Sequence, residues 1–281
     1  MADDIGFILA GPGGPPVIAP GSVLSATAFG GLTAIAPGTS IEIYGNNRAN
    51  TTQNWAGSDF VNGVAPTSLA GTTVSVGGKL AFIDYVRPGQ MNALVPSDAP
   101  EGPMLVTVTH GCGKSDGFPI YISASQPGQL APASFQVGGK QYLAALFPDR
   151  TFTIPTNAIP GVASRPAKPG DTLIVYGVGF GPVSGGFTGG TLVTDANSLT
   201  TSLQFLFNTT SATPTYDGLA PSYTGLYQFN IVVPNVPANA ALPISFTLGT
   251  TKGAQTLCIA LQNCPCSGHS CVRELLRTNG V

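Results

Sequence analysis

A phrase near the start of the chain returns in its second half. Pro37-Gly38-Thr39-Ser40-Ile41-Glu42-Ile43-Tyr44-Gly45 is matched by Pro169-Gly170-Asp171-Thr172-Leu173-Ile174-Val175-Tyr176-Gly177, in each case a Pro-Gly turn feeding a strand that ends in Tyr-Gly. Gln90-Met91-Asn92-Ala93-Leu94-Val95-Pro96 then returns as Gln228-Phe229-Asn230-Ile231-Val232-Val233-Pro234, and Pro103-Met104-Leu105-Val106-Thr107-Val108 as Pro243-Ile244-Ser245-Phe246-Thr247-Leu248. The order is the same in both halves, and the small drift in spacing falls between strands, where loops absorb it. Two copies of one structural unit account for the pattern.

That unit is β-rich. Short runs of β-branched and aromatic residues, such as Thr72 to Val76, Leu105 to Thr109 and Leu226 to Val233, are punctuated by Gly, Pro and Asn, as in a sandwich of short strands. With 37 Gly and 25 Pro in 281 residues, a mainly helical fold is excluded. Val76-Gly77-Gly78-Lys79 and Val137-Gly138-Gly139-Lys140 predict hairpin loops with positive φ. The sequence therefore predicts an all-β chain of two tandem immunoglobulin-like β-sandwich domains. A Gly/Pro-rich segment covers 1–16, the first domain 17–125, the second domain 126–262 and a Cys-rich tail 263–281. The second domain opens with a long Pro-bearing loop, which belongs to the domain because Phe135, Tyr142, Leu143, Leu146 and Phe147 require burial. The one helical run, Cys271 to Arg277, lies in the tail. Alternation places Phe229, Ile231 and Val233 inward, with Gln228 and Asn230 outward. The amides shared by the two copies either satisfy backbone groups at a strand end or contact a ligand.

The succession of these phrases, together with Arg165-Pro166-Ala167-Lys168-Pro169 and Tyr176-Gly177-Val178-Gly179-Phe180-Gly181-Pro182, resembles a family of C-terminal modules abundant in secreted and surface proteins of soil acidobacteria. The resemblance runs from about Val17 to Gln262. It implies tandem Ig-like sandwiches, attached in relatives to repeat proteins or enzymes, with no catalytic residues assigned. The Gly-Pro-rich start and the Cys-rich tail depart from the pattern.

Charge narrows the range of partners. Charged residues make up 9% of the chain and the net charge is −2, so there is no basic footprint for nucleic acid or an anionic bilayer. No run approaches the roughly 20 apolar residues of a membrane span. Met1-Ala2-Asp3-Asp4-Ile5 lacks the layout of a secretory signal. Low charge, scarce Lys and abundant Thr and Gly nevertheless favour an exported protein, extracellular or on the cell surface.

Catalytic motifs fail on context. Gly177-Val178-Gly179-Phe180-Gly181 follows a strand, but Pro182 stands where a dinucleotide site needs a helix N-terminus. Gly113-Lys114-Ser115 lacks the earlier glycine of a P-loop, whose place is taken by Val108, and Gly268-His269-Ser270-Cys271-Val272 lacks the last glycine of a nucleophile elbow. His110 with Asp116 on one hairpin loop is the weak candidate for general-base work, the plainer reading being a solvated loop histidine. The 13 acids, among them Glu42, Asp84, Asp149 and Asp171, stand mostly beside Gly or Pro and read as turn caps. Cys112, Cys258, Cys264, Cys266 and Cys271 are disulfide candidates in an exported chain, with free thiols or a tail zinc site including His269 as the alternatives. Neither a metal nor a cofactor is assigned. Trp55, the sole Trp, sits in the polar loop from Asn46 to Asn62, while Tyr216, Tyr223 and Tyr227 cluster in the second unit. Trp55 with Tyr216 and Tyr223 forms the candidate surface for stacking on a sugar or polymer, the alternative for Trp55 being a plug over one sandwich end.

The reading that follows is an exported structural, adhesive or binding module without catalysis. Its partner is a polysaccharide, another surface polymer or a second copy. Two alternatives stand beside it. One is an extracellular hydrolase of ester or glycosidic bonds with a loop-borne site. The other is a subunit of a surface filament or layer, in which residues 1–20 add a strand to a neighbour's edge.

Overall fold

The computed structural model of the chain describes residues 14–26, 34–111 and 113–262. The predicted tail helix and Cys112, Cys264, Cys266, His269 and Cys271 lie outside the described residues. The first half forms β1 (Val17–Ser25), β2 (Ser40–Asn46), β3 (Thr72–Val76), β4 (Phe82–Arg87), β5 (Gln90–Leu94), β6 (Gly102–His110) and β7 (Phe118–Ile122). The second forms β8 (Thr172–Val178), β9 (Leu203–Phe207), β10 (Tyr216–Leu219), β11 (Tyr227–Val232), β12 (Asn239–Leu248) and β13 (Leu257–Leu261). Short strands and two 3-10 turns, Gly57–Asp59 and Ala133–Phe135, connect them.

One antiparallel sheet runs β1, β2, β5, β4 and then the two-residue strand Gln53–Asn54, and it faces a sheet centred on β3, β6 and β7. In the second half β8, β11 and β10 repeat the order β2, β5, β4, while β9, β12 and β13 repeat β3, β6, β7. The duplicated phrases are duplicated strands in register. Ser40 opposite Leu94 is mirrored by Thr172 opposite Val232, and Tyr44 opposite Gln90 by Tyr176 opposite Gln228. The chain is all-β, with two sandwiches of immunoglobulin type.

Each sandwich closes over its own core. Ile41, Ile43, Ile83, Met91 and Ala93 face Val74, Val76, Val106, Val108 and Ile122 in the first. Leu173, Val175, Phe229 and Ile231 face Phe205, Phe207, Ile244, Phe246 and Ile259 in the second. Burying each such side chain contributes about 1.5–3 kcal/mol before chain entropy is counted. Phe180 anchors the second core, its ring 4.6 Å from Phe229 and 5.1 Å from Phe246. Phe229, Ile231 and Val233 point inward as alternation requires. The Pro-bearing segment is packed onto this domain: Phe135, Tyr142 and Ile154 join Cys258 and Ala260 in a satellite cluster, and the Arg165 guanidinium lies 3.4 Å above the Phe147 ring. The Gly-Gly hairpins have positive φ at Gly77, Gly78, Gly138 and Gly139. Asp149 and Asp171 accept the backbone N–H groups of Thr151 and Lys168 at 3.0 and 2.9 Å, the capping role their sequence setting suggests.

One core residue contradicts its sequence setting. Arg48, in a loop rich in Asn and Thr, is fully buried. Its guanidinium donates to the carbonyls of Ile43 and Gly89 at 2.9 and 3.0 Å and to that of Val17 at 2.9 Å, tying β1, β2 and the turn between β4 and β5 together. Burial pulls its pKa down to about 10, so it remains a cation at neutral pH. Gly45 makes room for it: a Cβ there would sit 2.0 Å from both the Arg48 guanidinium and the Val17 carbonyl.

Candidate functional site

Loops of the second sandwich lie across the outer face of the first at the end of β4 and β5. Two glycines permit the approach. A Cβ on Gly190 would fall 2.4 Å from the Phe82 ring, and one on Gly225 2.2 Å from Leu94. Backbone bonds cross the junction from Ala65 N–H to the Gly190 carbonyl and from Leu192 N–H to the Gly63 carbonyl, both at 2.8 Å. Within the second sandwich, Val193 exchanges bonds with Ser222 and Tyr223 at 2.9 Å. The result is a narrow ribbon of residues 191–193 and 222–224 seated on the first domain, with a concavity on each side.

On one side lies a groove of about 420 Å³ lined by Trp55, Phe60, Leu192, Ser222, Tyr223 and Thr224. The Trp55 backbone N–H donates to the Asp84 carbonyl at 2.9 Å, and its ring centroid lies 4.9 Å from that of Phe60. The 3-10 turn after Trp55 fixes this pairing because the Asp59 carboxylate accepts the Ala56 N–H at 2.6 Å. Tyr223, 56% exposed, forms part of the wall contributed by the second sandwich. The residues lining this groove include no acid, His, Lys or Arg. On the other side of the ribbon a cavity of about 550 Å³ is bounded by Pro37, Ala99, Glu101, Val183, Phe187 and Leu219. Thr224 borders both concavities, and its hydroxyl is buried without a partner among the described residues.

Trp55 and Tyr223 are thus brought together across the domain junction, whereas Tyr216 is not. Its register on β10 places it opposite Asn230, and its hydroxyl donates to the Leu219 carbonyl at 2.6 Å. Tyr227 is buried beside Phe180, its hydroxyl donating to the Gly181 carbonyl, and burial pushes its pKa far up. Phe60 and Leu192 complete the groove and were not singled out by sequence, since neither belongs to a repeated phrase.

The His110 Nδ1 lies 2.9 Å from Thr72 Oγ1 rather than on Asp116, which is exposed. The Thr72 hydroxyl donates its one proton to the Arg48 carbonyl at 2.6 Å, so Nδ1 carries the hydrogen and donates to Thr72. That ring is a clasp between β3 and β6. Cys258, a disulfide candidate, is a buried cysteine on β13 with no cysteine partner among the described residues, and the other four candidates lie outside them. Among the described residues no three His, Cys, Asp or Glu gather as metal ligands, and no helix is long and apolar enough to cross a membrane. Among the described residues the repeated Gln and Asn side chains bond each other and no backbone group. Gln90 Nε2 donates to Asn92 Oδ1 and Gln228 Nε2 to Asn230 Oδ1, each at 3.0 Å.

Asp84, whose backbone carbonyl accepts the Trp55 backbone N–H, occupies a bulge where β4 slips by one residue against β5. Its Oδ1 is buried without a partner among the described residues. Burial, aided by the nearby Glu42 carboxylate and opposed by the backbone N–H groups of Asp84 and Tyr85, raises its pKa to about 6.

No protein-family model and no curated protein matches this chain. Among solved structures it is similar to the Bacteroides ovatus mixed-linkage glucan utilization locus protein SGBP-B in complex with a mixed-linkage heptasaccharide. The identity there is 9% and the TM-score 0.34, over 83% of this chain and 43% of that one. It is similar to domains 5–6 of the S-layer protein SbsC at 13% identity and TM-score 0.27, over 89% and 100% of the two chains. An I-band fragment of titin follows at 10% identity and TM-score 0.23, over 89% and 65%. This chain spans less than half of the glucan-locus protein. These likenesses say nothing about its ligand.

Proposed function

We propose that the chain is a non-catalytic binding module of the extracellular or cell-surface space and that it holds a neutral polysaccharide in the groove between its two sandwiches. The observation that carries this reading is the meeting of Trp55 and Tyr223, from different domains, in one groove whose lining carries no acid, His, Lys or Arg. Aromatic faces take the C–H surface of a sugar ring, while the Ser222 and Thr224 side chains and the Tyr223 phenol supply polar edges. A groove without fixed cations has no means of neutralising a polyanion.

Native gels cast with neutral or anionic polysaccharides test this. Wild-type protein is expected to be retarded by a neutral polymer, and Trp55→Ala to bind it at least tenfold more weakly, about 1.4 kcal/mol or more for loss of a central aromatic anchor. Equal retardation of wild type and Trp55→Ala, or migration unaffected by every neutral polymer, overturns the assignment.

A further inference from the structure

The Gln-Asn pair is the centre of a larger repeated surface. In the first sandwich Tyr44 lies opposite Gln90 and Tyr85 opposite Asn92, so a phenol flanks each amide across β2, β5 and β4. In the second, Tyr176 lies opposite Gln228 and Tyr216 opposite Asn230, the same four residue types at matching places on β8, β11 and β10. Residues directly opposed across a sheet share a face. That face is the outer one, because the intervening Ile43, Met91, Val175 and Phe229 fill the cores. All eight side chains are half-buried.

The amide pair is oriented the same way in both copies. Each Gln Nε2 is bound to its Asn Oδ1, which locks both planes, and among the described residues no protein acceptor takes the Nδ2 protons of Asn92 or Asn230. Each sandwich therefore presents a rigid row of phenol, amide, amide and phenol with an unused donor near its centre. Such a row matches a chain of sugar hydroxyls: oriented amides bond the hydroxyls, and phenol rings cover the C–H faces. The first row is flanked by the opposite charges of Glu42, which accepts from Tyr44, and Arg87, which donates to Gln90, and these two balance. Ile174 and Thr215 flank the second row, and the Arg150 guanidinium is near enough to Tyr176 to act on its phenol. The first row also runs into the groove, since Asn54, next to Trp55, lies opposite Tyr85.

We propose that these two rows are a duplicated pair of binding sites for a neutral polysaccharide chain, additional to the Trp55 groove. The ligand class rests on the groove reading, whereas the sites do not. Two equivalent sites on one rigid chain bind a polymer through avidity, so the loss of either is amplified on the polymer.

The test uses the full chain on gels containing laminarin, hydroxyethylcellulose, xyloglucan or galactomannan. It compares Trp55→Ala, Gln90→Ala with Asn92→Ala, and Gln228→Ala with Asn230→Ala, each checked by thermal melting. The second-sandwich pair, which is not among the residues lining the Trp55 groove, is expected to weaken retardation at least fivefold, and both pairs together at least twentyfold. Asn230→Ser alone, which shortens the donor with less disturbance of the sheet, replaces the pair if that variant melts early, and a twofold or larger loss is expected. Polymer binding that is lost in Trp55→Ala but unchanged in both amide pairs overturns the duplicated sites and leaves the groove reading intact. Binding lost in the amide pairs but unchanged in Trp55→Ala supports the rows and overturns the groove. Wild-type protein that ignores all four polymers overturns both.

Discussion

Arg48→Ala is expected to lower the stability of the protein by about 3–5 kcal/mol, since it leaves three buried carbonyls without their donor at roughly 1–3 kcal/mol each. The side chain is fully buried and gives three hydrogen bonds to the carbonyls of Val17, Ile43 and Gly89. Its removal leaves those acceptors facing a void as large as the lost guanidinium, and cavity and desolvation costs add. The second sandwich shows a different solution at the matching place. Counting from the shared Tyr-Gly, Phe180 holds the position of Arg48, and a Cβ on Gly177 would meet the Phe180 ring at 2.6 Å, as one on Gly45 would meet the guanidinium. A buried ion replaced by a well-packed apolar group of similar volume costs much less than its truncation. Arg48→Phe is therefore expected to recover at least half of the stability lost in Arg48→Ala. Chemical denaturation of the three proteins decides this. A loss below 1 kcal/mol in Arg48→Ala would show that the three bonds are replaced by water, and equal losses in Ala and Phe would show that the two copies do not share this plug.

The contrast between Arg48 and Phe180 shows where sequence reading worked and where it stopped. Strand identity and inward direction were legible because Ile41 and Ile43 alternate with polar residues just as Leu173 and Val175 do in the other copy, and a period of two leaves little freedom of register. Arg48 was illegible because it lies among Asn, Thr and Gly, where a charged residue ordinarily points to solvent. Alignment on Phe180 was the one signal that its place is interior. Trp55 and Tyr223 were legible as candidate contact aromatics, with a plug over a sandwich end as the other reading of Trp55, but their meeting depends on the close approach at Gly190 and Gly225, which is a property of domain packing. Tyr216 was grouped with Tyr223 by proximity in sequence, yet the strand register carries it to the sheet face. Likewise His110 and Asp116 share a loop in sequence, but the ring bonds across to Thr72 on the neighbouring strand.

Asp84 makes the first sandwich more stable in mild acid. Burial and the Glu42 carboxylate raise its folded pKa to about 6, whereas the unfolded chain titrates near 3.8. Between those values the folded protein holds a proton that the unfolded one has released, so this group's contribution to stability falls as pH rises from about 4 to 6 and stays low above that. A shift of this size corresponds to about 2–3 kcal/mol at 1.36 kcal/mol per unit, reduced to roughly 2 by the partial exposure of the side chain. Asp84→Asn removes the charge while keeping the shape. It is expected to stabilise the protein at pH 7 by about 1–2 kcal/mol and to be neutral or slightly destabilising at pH 4. Other carboxylates oppose the trend, since Asp98 and Asp149 are held below their ordinary values by Lys79 and Thr151. The informative quantity is therefore the difference between wild type and Asp84→Asn across pH, measured by urea unfolding at pH 4, 5, 6 and 7. A difference that does not change with pH would show that the buried Oδ1 is solvated in solution. A difference that grows from pH 4 to 6 and then levels off shows that the folded protein carries the Asp84 carboxylate at a cost at neutral pH, as its burial requires.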